Sequence, residues 1–315
     1  MTLSPAPDLS NISIVVLSFN RGNTLGRNLI ALAQMVEETG CELIVVDNAS
    51  TDGSPEMIAD ILSGKTNTHF ILNNSNLGVA GGRNTGWREA TRDFILNIDD
   101  DTFITAEAVS TMRASIQRSA RFGIVSPRIL HAATGKVQLS FDDPDYRLAN
   151  FHGACHLIRR AVLDVVGLND ENCTFGGEEL DLSIRARAAG FDIAYVGDAT
   201  VLHDNLVSKA EVGLERRKRW VYNFTRVFYK HFPLRAALPF SLRYLLSHVV
   251  SGVRAFGPGF GLTLTRAALH GCRDGRRQHK PVPPHVVRFY RNPDLRPEFG
   301  NRPLWRKLMK RRAPH

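Results

Sequence analysis

Three consecutive carboxylates, Asp99-Asp100-Asp101, close the apolar run Phe94-Ile95-Leu96-Asn97-Ile98. Adjacent like charges repel one another and attract a cation, and hard oxygen donors select Mg2+ or Mn2+. Asp99 and Asp101, two apart, could reach one metal together, or one could hold the metal and the other a ribose. A solvated acidic turn, with Asp101 or Thr102 as N-cap of the next helix, accounts for the same residues.

Four further groups have chemistry within reach. Asp47, with Ser18-Phe19-Asn20, stands at a strand end where short polar groups can hydrogen-bond a base or ribose, although Asp47 also suits an Asx turn. In Asn76-Leu77-Gly78-Val79-Ala80-Gly81-Gly82-Arg83, the glycines permit close backbone approach and Arg83 offers a fork for phosphate. The spacing is neither a Walker loop nor GxGxxG, so ATP-type cradling and NAD binding are not indicated, and tight packing explains the glycines equally well. Gly177-Glu178-Glu179-Leu180-Asp181 opens a helix whose dipole welcomes acids in its first turn. A general base, Glu179 or Glu178, is the functional alternative, with Asp181 bracing the site. His203 ends an extended piece, and a neutral imidazole there can complete a metal site begun by Asp101.

The elements that would hold these groups follow from periodicity. Short, nearly continuous apolar runs at Ile12–Leu17, Leu43–Val46, Phe70–Leu72 and Phe94–Ile98 alternate with helical patterns. That order predicts a mostly parallel sheet covered on both faces, with ligands at the carboxyl ends of its strands. Beyond the acids, a helix is expected from Thr105 to Ser119, then strands at Gly123–Ser126 and Ala154–Ile158. A helix from Arg159 to Val166 and another from Glu178 to Ala189 follow. Periodicity fails over 128–150, where Phe141–Tyr146 reads as a mobile loop over a site. Phe191–Val196 and Ala199–Leu202 read as separate extended pieces.

The 315 residues carry a net charge of +9, very unevenly distributed. Residues 1–204 hold 16 Lys and Arg against 26 Asp and Glu, whereas residues 205–315 hold 24 against 5. An acidic body with a basic tail implies two kinds of partner. The four cysteines are scattered without a CxxC pair, which argues against a disulfide framework or zinc site and fits a reducing compartment. Met1–Pro7 shows no basic region followed by an apolar core, so no secretory signal is expected.

Taken together, Val15–Arg21, Ile44–Ser54, Asn76-Leu77-Gly78 with Arg83-Asn84, Asp99-Asp100-Asp101, and Gly177–Ser183 with Arg185 stand in the order of a known family. From Ile14 to about His203 the chain resembles the family 2 glycosyltransferases of cell-envelope glycan synthesis, which have the GT-A fold. The resemblance implies an α/β GT-A-type, mostly parallel sheet flanked by helices; the basic, mainly helical C-terminal extension, read from charge and periodicity, falls outside it. It implies an inverting, hexosyl-transferring enzyme that moves sugar from a UDP- or dTDP-sugar to a hydroxyl of a glycan or lipid-linked acceptor. Ser18, Asn20, Asp47, Arg83, Asp99 and Asp100 would bind the sugar nucleotide. Asp99, Asp101 and His203 would hold Mg2+ or Mn2+. Glu179, or Glu178, would be the base, because the family's Glu-Asp pair is Glu-Glu here. His152 and Asp181 would meet the acceptor, although His152 and Phe151 could equally be structural.

The expected division is a leader at 1–11, a catalytic domain at 12–210 (donor half 12–101, acceptor half 102–210) and a basic helical region at 211–315. In that last region Leu242, Leu245, Leu246, Val249, Val253 and Phe256 form a helical stripe. No charge-free run is long enough to span a bilayer. The stripe either packs as core or lies on an anionic membrane surface, which would make the protein cytoplasmic and peripheral on the inner face of the membrane. The basic run Arg302–Arg312 is expected to be solvated. Two rivals remain at this stage, a nucleic-acid-binding protein and a sugar nucleotidyltransferase. The tail lacks interleaved aromatics and the body is acidic, so no nucleic-acid partner is expected. The loop after Leu17 is a poor match to a basic Gly-rich nucleotidyltransferase loop.

Overall fold

The computed structural model of the chain describes residues 5–141, 147–204, 213–257 and 259–292. In chain order it contains β1 (Ile12–Ser18), α1 (Gly22–Thr39), β2 (Glu42–Asp47), α2 (Ser54–Leu62), β3 (Thr68–Leu72), α3 (Gly78–Glu89) and β4 (Phe94–Asp99). Then come β5 (Thr102–Phe103), α4 (Ala106–Gln117), β6 (Phe122–His131), β7 (Val137–Leu139), β8 (Cys155–Arg159), α5 (Arg160–Val166), α6 (Glu178–Ala188) and β9 (Asp192–His203). Four helices complete it: α7 (Leu214–His231), α8 (Leu234–Phe256), α9 (Gly259–Arg277) and α10 (Pro284–Arg291).

All nine strands join one sheet in the order β3-β2-β1-β4-β8-β6-β9-β5, with β7 on β6. β1 to β4 pair in parallel, as their apolar runs require. The second half is mixed, because β8 runs antiparallel to both β4 and β6 while β6 and β9 are parallel. β4 therefore sits where the parallel half ends, and its carboxyl end carries Asp99. One apolar layer packs β1, β2 and β4 against α1 and α4. The opposite layer packs Trp87 of α3, Val162 and Leu163 of α5, and Leu182 and Ala186 of α6. Local signals place the helix ends: Gly40 closes α1 in the left-handed region, Pro55 opens α2, and Thr105 Oγ1 accepts from the Ala108 amide.

Three elements differ from the sequence expectation. β6 extends to His131 and β7 occupies part of the aperiodic stretch. Arg128–His131 at the end of β6 alternate in burial and β7 is mostly exposed, patterns weaker than that of the fully buried strands. The two extended pieces before His203 are one strand, bent by a register shift opposite Pro127 and Arg128. Leu9, in the expected leader, is fully buried, and its amide donates to Thr39 O. Residues 142–146 of the expected loop and the Arg302–Arg312 run lie outside the described residues. The four cysteines are free, and no described helix is long and apolar enough to cross a membrane.

The C-terminal helices pack on the catalytic sheet through α6. Leu180 and Ile184 of α6 meet Val227, Phe228 and Phe232 of α7, Phe240 of α8 and Tyr290 of α10. Asp181 anchors this joint. Its carboxylate accepts from Arg185 Nε at 2.7 Å, Lys230 Nζ at 2.8 Å and His231 Nε2 at 2.7 Å. Lys230 and Arg226 also reach Asp170, at 2.6 and 2.5 Å.

Candidate active site

A cavity of about 1000 Å3 opens at the carboxyl end of β4, walled by the sheet on one side and by α7 and α8 on the other. Asp99, Asp100, Asp101, His203, Glu178, Glu179, Arg83, Ser18 and His152 all line it. The topology explains how residues a hundred positions apart meet. β5 is only two residues long, yet it pairs Thr102 with His203, and the Asp204 amide donates to Asp101 O at 2.9 Å. That clasp brings His203 Nε2 to 3.2 Å from Asp101 Oδ1. One ligand atom each from Asp99, Asp101 and His203 lies within 4.8 Å of the others.

The cluster has the polarity of a cation site. His203 Nδ1 lies 2.7 Å from Gln138 Oε1, an acceptor, so that nitrogen carries the proton. Nε2 is then a lone pair facing a carboxylate oxygen. Neither His203 Nε2 nor Asp101 Oδ1 has a hydrogen-bond partner, although both are buried. Two acceptors facing each other in a buried site call for a positive charge between them. Arg21 is the nearest cation, 3.3 Å from Asp101 Oδ2 and 3.1 Å from Asp100. Burial raises the Asp101 pKa, but His203, when its ring carries a proton on both nitrogens, and Arg21 outweigh it and hold the carboxyl below its usual value. Asp100 goes the other way: burial pushes it up to about 8 against the pull of Arg21.

Arg83 has a different setting from the phosphate fork expected of it. It is almost fully buried, with Nη2 2.9 Å from Asp99 and 3.0 Å from Gly153 O, and Nη1 3.3 Å from Glu178. It therefore braces the acids of β4 to the start of α6. The neighbouring glycines serve packing: a side chain at Gly82 or Gly86 would collide with Leu17 or Val15 of β1.

The two glutamates of α6 are not equivalent. Glu178 is buried, and burial, then repulsion from Glu179, raises its pKa well above the carboxylate range against the pull of Arg83. Glu179 is half-buried, and its Oε1 would stand 2.5 Å from a Cβ at Gly153, so a side chain there would push the Glu179 carboxylate aside. His152 lines the cavity with its ring centroid 6.5 Å from that of His203. Its Nδ1 accepts from the Ala154 amide, and burial lowers its pKa to about 4.

The remaining expected residues lie further back. Asp47 is fully buried. Its Oδ1 accepts from the Ser50 amide, as an Asx turn would have it, while Oδ2 and Ser18 Oγ have no partner. Asn20 has a φ of 52° and its side chain accepts from the Thr51 amide, so it clasps the loop after β2. Asp181 is inside the joint between α6 and α7 and is not among the cavity-lining residues.

The sequence reading missed the far wall. Arg216, Arg219, Trp220, Phe224, Tyr244 and His248 line it. Trp220 stacks on Phe175 at 6.0 Å, and Arg216 lies over Phe175 at 4.4 Å. Trp220 also explains Gly176, where a Cβ would come within 2.2 Å of its ring. Asn48 went unnoticed as well; its amide holds the Asn76–Gly78 turn. Only the asymmetry of charge pointed to the wall, and charge alone does not say which residues face inward.

Acids end the parallel half of the sheet and a histidine ends β9, and together they face a carboxylate-led helix across a cleft, an arrangement of the GT-A type. Comparison with known proteins places it further. The model of "Glycosyl transferase family 2" matches residues 13–167, and that of "Glycosyl transferase family group 2" matches residues 94–273, more than half of the chain. The chain belongs to the family 2 glycosyltransferases. It is 24% identical over 242 residues to the low-salt glycan biosynthesis hexosyltransferase Agl10 of Haloferax volcanii, covering 68% of this chain and 75% of that protein. It is 27% identical over 137 residues to the poly-beta-1,6-N-acetyl-D-glucosamine synthase of Staphylococcus aureus, covering 42% of this chain and 32% of the synthase. The chain thus spans about a third of that synthase's length. Among solved structures, S. aureus TarS 1-349 superposes with a TM-score of 0.59 at 18% identity over 88% of this chain and 82% of that one. The mannosyltransferase PcManGT of Pyrobaculum calidifontis, in complex with GDP-Man and Mn2+, does so with a TM-score of 0.56 at 18% identity, covering 85% and 83%.

Proposed function

We propose that this glycosyltransferase inverts the anomeric centre as it moves a sugar from a UDP- or dTDP-type nucleotide sugar to a hydroxyl of a glycan or lipid-linked acceptor. One observation carries the reading: the unpartnered Asp101–His203 pair and Glu179 open on the same cavity. TarS in complex with UDP-GlcNAc and PcManGT in complex with GDP-Man support a nucleotide-sugar donor. Asp99, Asp101 and His203 would hold Mg2+ or Mn2+, which when bound offsets the charge developing on a diphosphate leaving group.

The chain's own residues do the rest. Asp47 Oδ2 and Ser18 Oγ, buried and unpartnered, are the free acceptor and hydroxyl at the nucleoside end. Asn20 shapes the adjoining loop. Asp100 sits with Arg21 beside the ribose position. Arg83 fixes Asp99 and Glu178 relative to each other. Glu178 is buried and held by Arg83, which leaves Glu179 as the carboxylate available to take the acceptor's proton. With Asp99, Asp100 and Asp101 grouped at the donor end and Glu178 held by Arg83, no second carboxylate remains among the described cavity-lining residues to act as a nucleophile on the sugar, so a single displacement with inversion follows. His152, neutral at physiological pH, and the Phe175–Trp220 wall would bound the acceptor, while Asp181 braces α6 from behind.

Release of nucleoside diphosphate from a panel of nucleotide sugars, with Mn2+, Mg2+ or EDTA, tests the reading. Turnover should need the metal and disappear in Asp101→Ala, and the anomeric configuration of the product should be opposite to that of the donor. Full-rate turnover by Asp101→Ala would remove the metal site, and retention of configuration would remove Glu179 as sole base.

A further inference from the structure

Among the described residues, the C-terminal helices leave one face without a partner. α8 turns Ala236, Ala237 and Phe240 towards α7 and α10, and Leu245 and Val249 towards Val221 of α7 and Phe260 and Leu264 of α9. Its outward side carries Leu234, Leu238, Leu242, Leu246 and Val250 at a strict four-residue step, exposed by 54, 45, 48, 59 and 75%. The row is about 24 Å long at 1.5 Å per residue. Single exposed leucines are ordinary, but a continuous row marks an interaction surface. The sequence stripe was therefore half right: Leu245 and Val249 are packed, and Leu242 and Leu246 face solvent.

Charge identifies what covers the row. α8 has no acidic residue, and residues 214–291 hold 16 Lys and Arg against 2 Asp and Glu. Arg235 emerges beside the leucines, and on α9 Arg266 stands between the exposed Leu262 and Leu269. A second copy meeting this face about a twofold axis would set like charges against like. The segment 293–315, with seven Lys and Arg against two acids, is no better complement. An apolar row rimmed by arginines on a helix without acids matches an acyl boundary under anionic headgroups. The opposite side of the same helix contributes Tyr244 and His248 to the cavity wall.

We propose that the outward face of α8 docks on an anionic lipid surface, with the helix lying in the membrane plane between the bilayer and the cavity. This goes beyond the transfer reaction and does not depend on the identity of the acceptor.

Flotation of the full chain tests it, using vesicles of equal parts phosphatidylglycerol and phosphatidylcholine against pure phosphatidylcholine. The protein should float with the anionic vesicles, less so at high salt, and weakly with the neutral ones. Leu242→Glu with Leu246→Glu should lower partitioning roughly tenfold or more, leaving the melting temperature and nucleoside diphosphate release in solution unchanged. Arg235→Gln with Arg266→Gln should cut binding to anionic vesicles by roughly tenfold and leave the neutral ones unaffected. Absence of the wild type from anionic vesicles overturns the proposal. Loss of a concentration-dependent dimer in the leucine variant, without vesicle binding by the wild type, would assign the face to a second copy. A melting temperature several degrees lower, again without vesicle binding, would assign it to the chain's own tail. Vesicle binding by a protein that turns over no nucleotide sugar would leave this proposal standing and remove the donor reading instead.

Discussion

The protein buries two aspartate–histidine pairs, and they have opposite characters. At Asp181, the carboxylate meets His231 Nε2 at 2.7 Å and is also bonded by Lys230 and Arg185. At Asp101, His203 Nε2 stands 3.2 Å from Oδ1 without hydrogen-bond alignment, and both atoms lack partners. The side chains are the same and both acids are almost fully buried. Asp181 is a completed joint between α6 and the C-terminal helices. Asp101 meets Arg21 through Oδ2 and leaves its buried Oδ1 without a partner. Burial thus says little about function, whereas unfilled hydrogen-bonding capacity in a buried acid says a good deal.

Exchanging the two acids for amides separates these roles most sharply. Asp101→Asn should lower transfer by about 10^3-fold, equivalent to several kcal/mol of lost charge stabilisation, with no loss of melting temperature. A parallel fall in melting temperature would make Asp101 a joint like Asp181. Asp181→Asn should do the converse. Removing the charge that Lys230 and Arg185 face should destabilise the fold by about 3–5 kcal/mol in denaturant titration. A stable but inactive Asp181→Asn protein would instead return Asp181 to the acceptor site.

Gln138 gives a smaller, finer test, since it fixes which His203 nitrogen faces the cluster. Gln138→Ala should weaken Mn2+ binding by about 10- to 100-fold in calorimetry, with little change in melting temperature. Unchanged affinity would mean that the tautomer is set by something else.

The smallest expected effect is on acid stability. Burial raises Asp170 and Asp181, but hydrogen bonds from Lys230 and His231 and the charges of Arg226 and Arg185 outweigh it. Asp170 is held down to about 2 and Asp181 well below its ordinary value. Carboxyls depressed in the fold stabilise it fully above their unfolded pKa of about 4 and cease to do so as pH falls through the folded value. Circular dichroism should therefore show stability falling from about pH 4 towards pH 2, with hydrogen exchange opening first along α6 and α7. Earlier opening at β4 would contradict the contrast between the clusters.

Much of the site was legible in order along the chain because strand ends announce themselves. An apolar run halted by Asp99-Asp100-Asp101, or a helix opened by Gly177-Glu178-Glu179, is a local event, and local patterns survive in sequence. His203 was legible only as the end of an extended piece. Its approach to Asp101 depends on the two-residue strand β5, too short to leave a periodicity. The pairing of Arg83 with Asp99 and Glu178, and the burial of Asp181, were illegible for the same reason: each depends on which distant charge arrives beside it.

By itself the sequence determined the parallel half of the sheet, the carboxylates at its ends and the charge asymmetry between body and tail. These follow from nearest neighbours and from composition. Only the tertiary structure decided that Glu178 is paired and Glu179 available, that Arg83 is a brace, and that α7 and α8 complete the cavity. It also divided the α8 stripe into leucines that pack and leucines that face out. Hydrogen-bond satisfaction and helix-face exposure are properties of three-dimensional neighbours, and no stretch of chain carries them alone.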